Sequence, residues 1–394
     1  MRRLLRLLPV RFFVASLVYL ALGVVFGALD ALGYGNFKSV HTHLIAGAFF
    51  TLVIMGSMYQ LIPTIIGTEI RYKRLAEIQF ILVNIAFISL AYSFLIEYSF
   101  LKVAGFIAFV SFLIFAIEIY ATTLSVKNFY KLSLAIWFFL AAVAYLIIGS
   151  AYALTGTLGI TGFNILEHAH ILTIGFIAMT TFGGFYELFP MLALKKLYSR
   201  RLGEIHFLIA NIGAIGMFLS FSQKGSLFIF SSIIFLLGFY LFAFNIAKTY
   251  LSKLNTFVSE TDISARFMAY ALIFGVAGVT AGLSSALTGF PGSFTHVHYI
   301  LAGWVGLTMI GAMYHIVPML TWIQKYSSKV GQEKVPLINE LYNKQLAKAI
   351  FITLNISLAL FGLRDLLPAL NLFAVPLAAA FLAFAVEMVL ILKR

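Results

Sequence analysis

No cysteine occurs in the 394 residues, so disulfides, thiolate metal ligands and iron–sulfur clusters are excluded. Charge is scarce too. Asp, Glu, Lys and Arg make up 10% of the chain, and no polar stretch is long enough to build a soluble domain. Acidic residues are the rarer sign, 14 against 27 Lys and Arg, which leaves a formal charge of +13. That excess does not point to nucleic acid, because it falls in short loops between apolar segments, where the positive-inside rule puts it. What the chain has in quantity is apolar sequence, 62% of all residues. It comes in runs of about 20, the length that crosses a bilayer as a helix.

The expected fold is therefore all-α and integral to the membrane, a single membrane domain over residues 1–394. Twelve helices are expected, near 10–28, 38–66, 76–97, 101–125, 131–155, 164–194, 203–222, 226–250, 266–289, 293–322, 345–363 and 369–391. The first follows MRRLLRLLPVRFF and runs to Ala28 without a clear small-residue cleavage site. It reads as a retained span, not a signal peptide.

One 23-residue stretch is written three times: HTHLIAGAFFTLVIMGSMYQLIP at 41–63, HAHILTIGFIAMTTFGGFYELFP at 168–190 and HVHYILAGWVGLTMIGAMYHIVP at 296–318. Each opens with His-x-His and keeps a Gly (Gly56, Gly183, Gly311), a Tyr (Tyr59, Tyr186, Tyr314) and a Pro (Pro63, Pro190, Pro318) in register. The first His steps from 41 to 168 to 296, intervals of 127 and 128. A fixed long period marks a repeated structural unit. Other positions keep the phase, among them Asn84, Asn211 and Asn355, and further on Glu118, Asn245 and Glu387. From Pro190 to Leu202 is 12 residues and from Pro318 to Leu346 is 28, so the third repeat carries an insertion of 16. The repeats run about 1–127, 128–254 and 255–394, four helices each. The second, sixth and tenth helices should be related by about 120° around an axis normal to the membrane, as threefold closure demands.

Topology follows from the basic residues. With both termini in the cytoplasm, 23 of the 27 Lys and Arg lie inside, leaving Lys38, Lys102, Lys224 and Arg364 outside. All three His-x-His pairs then sit toward the outer face.

Six of the eight histidines belong to these pairs. A lone His in a membrane helix is usually a hydrogen-bonded structural residue, but six in phased pairs suggest ligands for haem iron, copper or zinc. Residues two apart on a helix point about 200° apart, so the two members of a pair serve different neighbours. Imidazoles facing each other from two helices supply both axial ligands of a low-spin haem. A zinc site would want carboxylates beside the histidines, and only Glu167 is adjacent. His206 and His315 read as interfacial, and Glu118 and Glu387 as intramembrane carboxylates with a structural partner at least as plausible as a function.

Twelve helices in three four-helix units, with both ends inside and histidines near the outer side, resemble subunit I of the haem–copper oxidase and nitric-oxide reductase superfamily. The likeness is most specific in the tenth helix, where THVHYILAG resembles the family's His-x-His. In the second helix, VHTHL with GSMYQLIP downstream resembles the segment with the other low-spin ligand. The resemblance implies that His296 binds a high-spin haem, that His298 and His41 bind a low-spin haem, and that Arg364 neutralises haem propionates. The seventh helix departs from the pattern. GEIHFLIANIGAIGMFLSF offers only His206, where the family has a His-His pair for copper or non-haem iron. Ile174 stands one turn after His170, where the family keeps a proton-donating Tyr or Glu. Copper is therefore not expected, no residue is named catalytic, and an oxidoreductase activity stays open.

Rotating the family's pairing by one repeat gives His43 with His168, and again His170 with His296, using each histidine once. The expectation is a membrane protein with one to three haems of type b in the cytoplasmic membrane of a prokaryote. It would pass electrons between a quinol and an outer-side electron-transfer protein. Lys102, Lys224 and Arg364, one per repeat, would pair with propionates. Two other classes stay open: a haem protein that binds or reduces oxygen or nitric oxide, and a transporter of copper or haem.

Overall fold

A bilayer offers no water to backbone N–H and C=O groups, so each spanning segment has to satisfy its own, and an apolar run of about 20 residues folds as a helix. The computed structural model describes residues 4–127, 132–223, 225–252, 262–290 and 292–394. Among the described residues there is no strand, and twelve helices are long and apolar enough to cross a membrane. They are α1 Leu8–Ala31, α2 Lys38–Ile66, α3 Lys73–Leu95, α4 Tyr98–Thr123, α5 Leu134–Thr157, α6 Ile165–Leu192, α7 Arg200–Ser220, α8 Ser226–Leu251, α9 Ile263–Thr288, α10 Ser293–Lys325, α11 Lys344–Phe361 and α12 Pro368–Lys393. This is the all-α, twelve-helix fold that the apolar runs predict.

The chain divides into two compact units. One holds Met1–Ile45, Leu192–Leu194 and Lys253–Arg394. In it α1 packs on the start of α2 and on α12, α9 packs along α10, and α11 on α12. The other holds Ala46–Met191 and Lys195–Ser252, with α3 on α4, α4 on α5, α5 on α6 and α7 on α8. The helices that open with His-x-His are among the most enclosed. Burial reaches 67% of the most apolar window in α2 and α6 and 78% in α10, against 28% in α3. Those helices are core, whereas α3 presents most of its surface outward.

Two local features recur in phase with the repeat. The first is a change of helix type. At or just after the second histidine, α2, α6 and α10 switch from α to π geometry for eight residues each, at His43–Phe50, Ile171–Ala178 and Tyr299–Gly306. A π segment bonds i to i+5, is rare, and is found disproportionately at functional sites. Each helix then returns to α geometry through its repeated Gly, Tyr and Pro.

The second is a side-chain cap between helices. The backbone N–H preceding α3, at Tyr72, donates to Glu118 Oε1 of α4 at 2.8 Å. The N–H of Ser199 before α7 donates to Asn245 Oδ1 of α8 at 3.1 Å. The N–H of Asn343 before α11 donates to Glu387 Oε1 of α12 at 2.9 Å. Each cap satisfies a backbone donor that a helix start leaves without an intrahelical partner. Tyr314 adds a bond from its hydroxyl to Glu387 Oε2 at 2.5 Å. The intramembrane carboxylates thus have a structural task, and in the second repeat a neutral Asn performs it.

Candidate metal centre

The six paired histidines sit at the first turns of α2, α6 and α10, ahead of or at the π segments, and all are half-buried. Their ring nitrogens have a consistent arrangement. The second His of each pair bonds back to the carbonyl one turn earlier: His43 Nδ1 to Ser39 O at 2.8 Å, His170 Nδ1 to Leu166 O at 2.7 Å and His298 Nδ1 to Phe294 O at 3.0 Å. The first His reaches the preceding helix in two repeats. His41 Nδ1 meets Gly23 O of α1 at 2.8 Å, and His296 Nδ1 meets Gly278 O of α9 at 2.9 Å. A carbonyl oxygen only accepts, so in all five rings Nδ1 carries a proton, and in the neutral imidazole Nε2 keeps its lone pair. That is the tautomer a metal-binding imidazole needs, with the second nitrogen fixed by an outer hydrogen bond.

His298 has the most elaborate surroundings. Its ring stacks on Phe294 with centroids 3.6 Å apart and planes at 25°, and meets the edge of Phe361 at 5.3 Å and 86°. The Arg364 guanidinium covers the Phe294 ring, with Cζ 3.4 Å from its centroid. Contacts of this type contribute about 0.5–2 kcal/mol, more as water is excluded. Arg364 also donates to Asn371 Oδ1 at 3.2 Å. Burial lowers its pKa, while Asp365 and Asp30 oppose the shift; a guanidinium nevertheless stays charged. His41 and Arg364 both lie within electrostatic reach of His298, and Asp30 within reach of His41. His41, His298 and Arg364 all belong to one compact unit.

The other expected residues are placed less decisively. His168 lies beside Phe163, ring centroids 5.7 Å apart, and His170 beside Phe221 at 4.8 Å. The pairs His43–His168 and His170–His296 each take one residue from either compact unit. Lys102 is exposed near the start of α4, and Lys224 lies outside the described residues. Among the described residues no group of three His, Asp or Glu is arranged to hold one metal ion.

His206 is fully buried, packed edge-on to Phe182 at 4.4 Å and between Phe138 and Phe242. Its Nδ1 lies 3.1 Å from the hydroxyl of the repeated Tyr186. The equivalent Tyr59 donates to Gln79 Oε1 at 3.5 Å. His206 thus stands in phase with Gln79, as a partner for a buried tyrosine.

Sequence reasoning missed Gly23, Gly27, Gly278 and Gly282 of α1 and α9. The phase could have revealed them, since both pairs lie 18 and 14 residues before the first His.

Residues 161–227 match the model of the cytochrome c and quinol oxidase polypeptide I family. The matched segment spans α6 and α7 and includes His168, His170 and His206, while His41, His296 and His298 lie outside it. The chain is also similar to an uncharacterized protein of Aquifex aeolicus (strain VF5), 26% identical over 302 residues, 74% of this chain and 75% of the relative. Together with the twelve apolar helices, the family match supports an integral membrane protein like oxidase subunit I.

Proposed function

We propose that this chain is a membrane electron-transfer protein carrying haem b, held most securely between His41 and His298. The observation that carries this reading is the shared tautomer: both rings donate Nδ1–H to a backbone carbonyl and keep the Nε2 lone pair for iron. The donor set fits haem, since neutral imidazole is a standard axial ligand and the second-shell carbonyls fix its orientation. When bound between two imidazoles, haem iron supplies a one-electron couple with no open position for a substrate. Arg364, stacked over Phe294 beside His298, supplies a cation for a propionate, and Lys102 and Lys224 take that role in the other repeats. The cyclic pairing extends the scheme to His170–His296 and His43–His168, up to three haems. The electron donor would be a quinol and the acceptor an outer-side electron-transfer protein, with both termini cytoplasmic.

A second reading is that one haem keeps an open axial position and binds oxygen or nitric oxide. It is favoured by the match of α6 and α7 to an oxidase family. A carbon-monoxide shift in the reduced spectrum would identify it.

The test uses protein made with haem supplied. His298→Ala and His41→Ala should each remove the same low-spin bands and leave any others. If both variants keep every haem band of the wild type, the assignment is wrong.

A further inference from the structure

Gly23 and Gly27 of α1 lie one helical turn apart, on the same face. The carbonyl of Gly23 accepts the Nδ1 proton of His41 at 2.8 Å. A Cβ on Gly27 would stand 2.5 Å from that same Nδ1 and 2.6 Å from Cε1, so the ring lies where a side chain would begin. In α9, Gly278 and Gly282 repeat the arrangement. The Gly278 carbonyl accepts from His296 Nδ1 at 2.9 Å, and a Cβ on Gly282 would fall 2.4 Å from it. Both cradles sit at the same offsets from their histidine. At the equivalent places the second repeat has Ser150 and Leu154.

We infer that Gly27 and Gly282 are positioning residues that hold His41 and His296 with Nε2 turned out for iron. The inference rests on the haem reading above and deepens it, because it names what sets the direction of the two rings. Small residues at helix contacts in membranes usually serve close backbone approach. Here the space goes to an imidazole, and the carbonyl's second lone pair takes its proton while the first stays in the helix ladder. Restoring an ordinary contact of 3.4 Å would move the His41 ring by about 0.9 Å, from 2.5 Å, and break the Nδ1 bond.

The experiment compares Gly27→Ala and Gly282→Ala with the wild type as purified. Gly105→Ala is the control, because the nearest atom to its added Cβ is 3.8 Å away. Loss of an outer hydrogen bond to a metal ligand costs roughly 10–100-fold in affinity. Gly27→Ala and Gly282→Ala should each weaken haem retention by that factor and shift the low-spin electron-paramagnetic signal. Gly105→Ala should keep the wild-type haem content and signal. Unchanged spectra in both glycine variants overturn the inference. Nitrogen NMR of histidine-labelled, reduced wild type is an independent readout that survives a glycine variant failing to fold. His41 and His296 should be protonated at Nδ1, and protonation at Nε2 contradicts the cradle. A wild type without haem defeats the functional reading, while the nitrogen spectrum still decides the cradle.

Discussion

Glu387 is the residue whose replacement separates structure from charge most cleanly. It is 2% exposed and accepts two hydrogen bonds, from the Tyr314 hydroxyl at 2.5 Å and from the Asn343 N–H at 2.9 Å, with Tyr314 itself 1% exposed. Glu387→Ala leaves the Tyr314 hydroxyl buried without an acceptor and also breaks the bond from Asn343, an exposed residue. The stranded hydroxyl costs about 1–3 kcal/mol and the lost bond about 1 kcal/mol, so the variant should lose about 2–4 kcal/mol. Glu387→Gln keeps the side-chain length. Its carbonyl can accept from Asn343, and its amide can donate to the Tyr314 oxygen, since a hydroxyl both gives and accepts. The loss should stay near about 1 kcal/mol, the net value of an ordinary hydrogen bond. The second repeat already runs on an amide, because Asn245 accepts from Ser199 N–H at 3.1 Å and donates to Ser199 O at 2.8 Å. Denaturant unfolding of the protein in mixed micelles measures the difference. If Gln costs as much as Ala, the carboxylate has a task beyond capping α11 and this account of it fails.

Gly213→Ala should destabilise the protein by about 1–3 kcal/mol through overpacking, because its Cβ would lie 2.6 Å from the Phe235 backbone N, whereas Gly184→Ala meets nothing within 4 Å and should be neutral in the same thermal melts. Arg364→Ala should lower the midpoint potential of the His41–His298 site in a potentiometric titration, since a nearby cation favours the reduced state; an unchanged or higher potential would count against the propionate role. The chain has no cysteine, so a single introduced thiol reports topology. Lys102→Cys should react with an impermeant maleimide added to intact cells and Lys334→Cys should not; the reverse pattern inverts the proposed orientation.

The twelve helices were legible because lipid imposes a length and an apolar composition on every span. Phase made the caps legible too: Glu118, Asn245 and Glu387 recur at one repeat position, and all three bond the backbone before the preceding helix. The π segments after the histidines were not legible, because a shift from i+4 to i+5 bonding leaves no composition signature. The partner of His206 was not legible, because the bond is to Tyr186, twenty residues earlier on α6. The glycine cradles lay in the sequence, but glycine is common in membrane helices. Only the carbonyl-to-imidazole distance shows which glycines matter.

The central claim, that these phased histidines hold haem, is tested most directly by the haem-to-protein ratio of the wild type, purified from cells supplied with haem. The account predicts at least one haem per chain with the sharp reduced bands of a low-spin centre. Stoichiometric protein with no haem would contradict it.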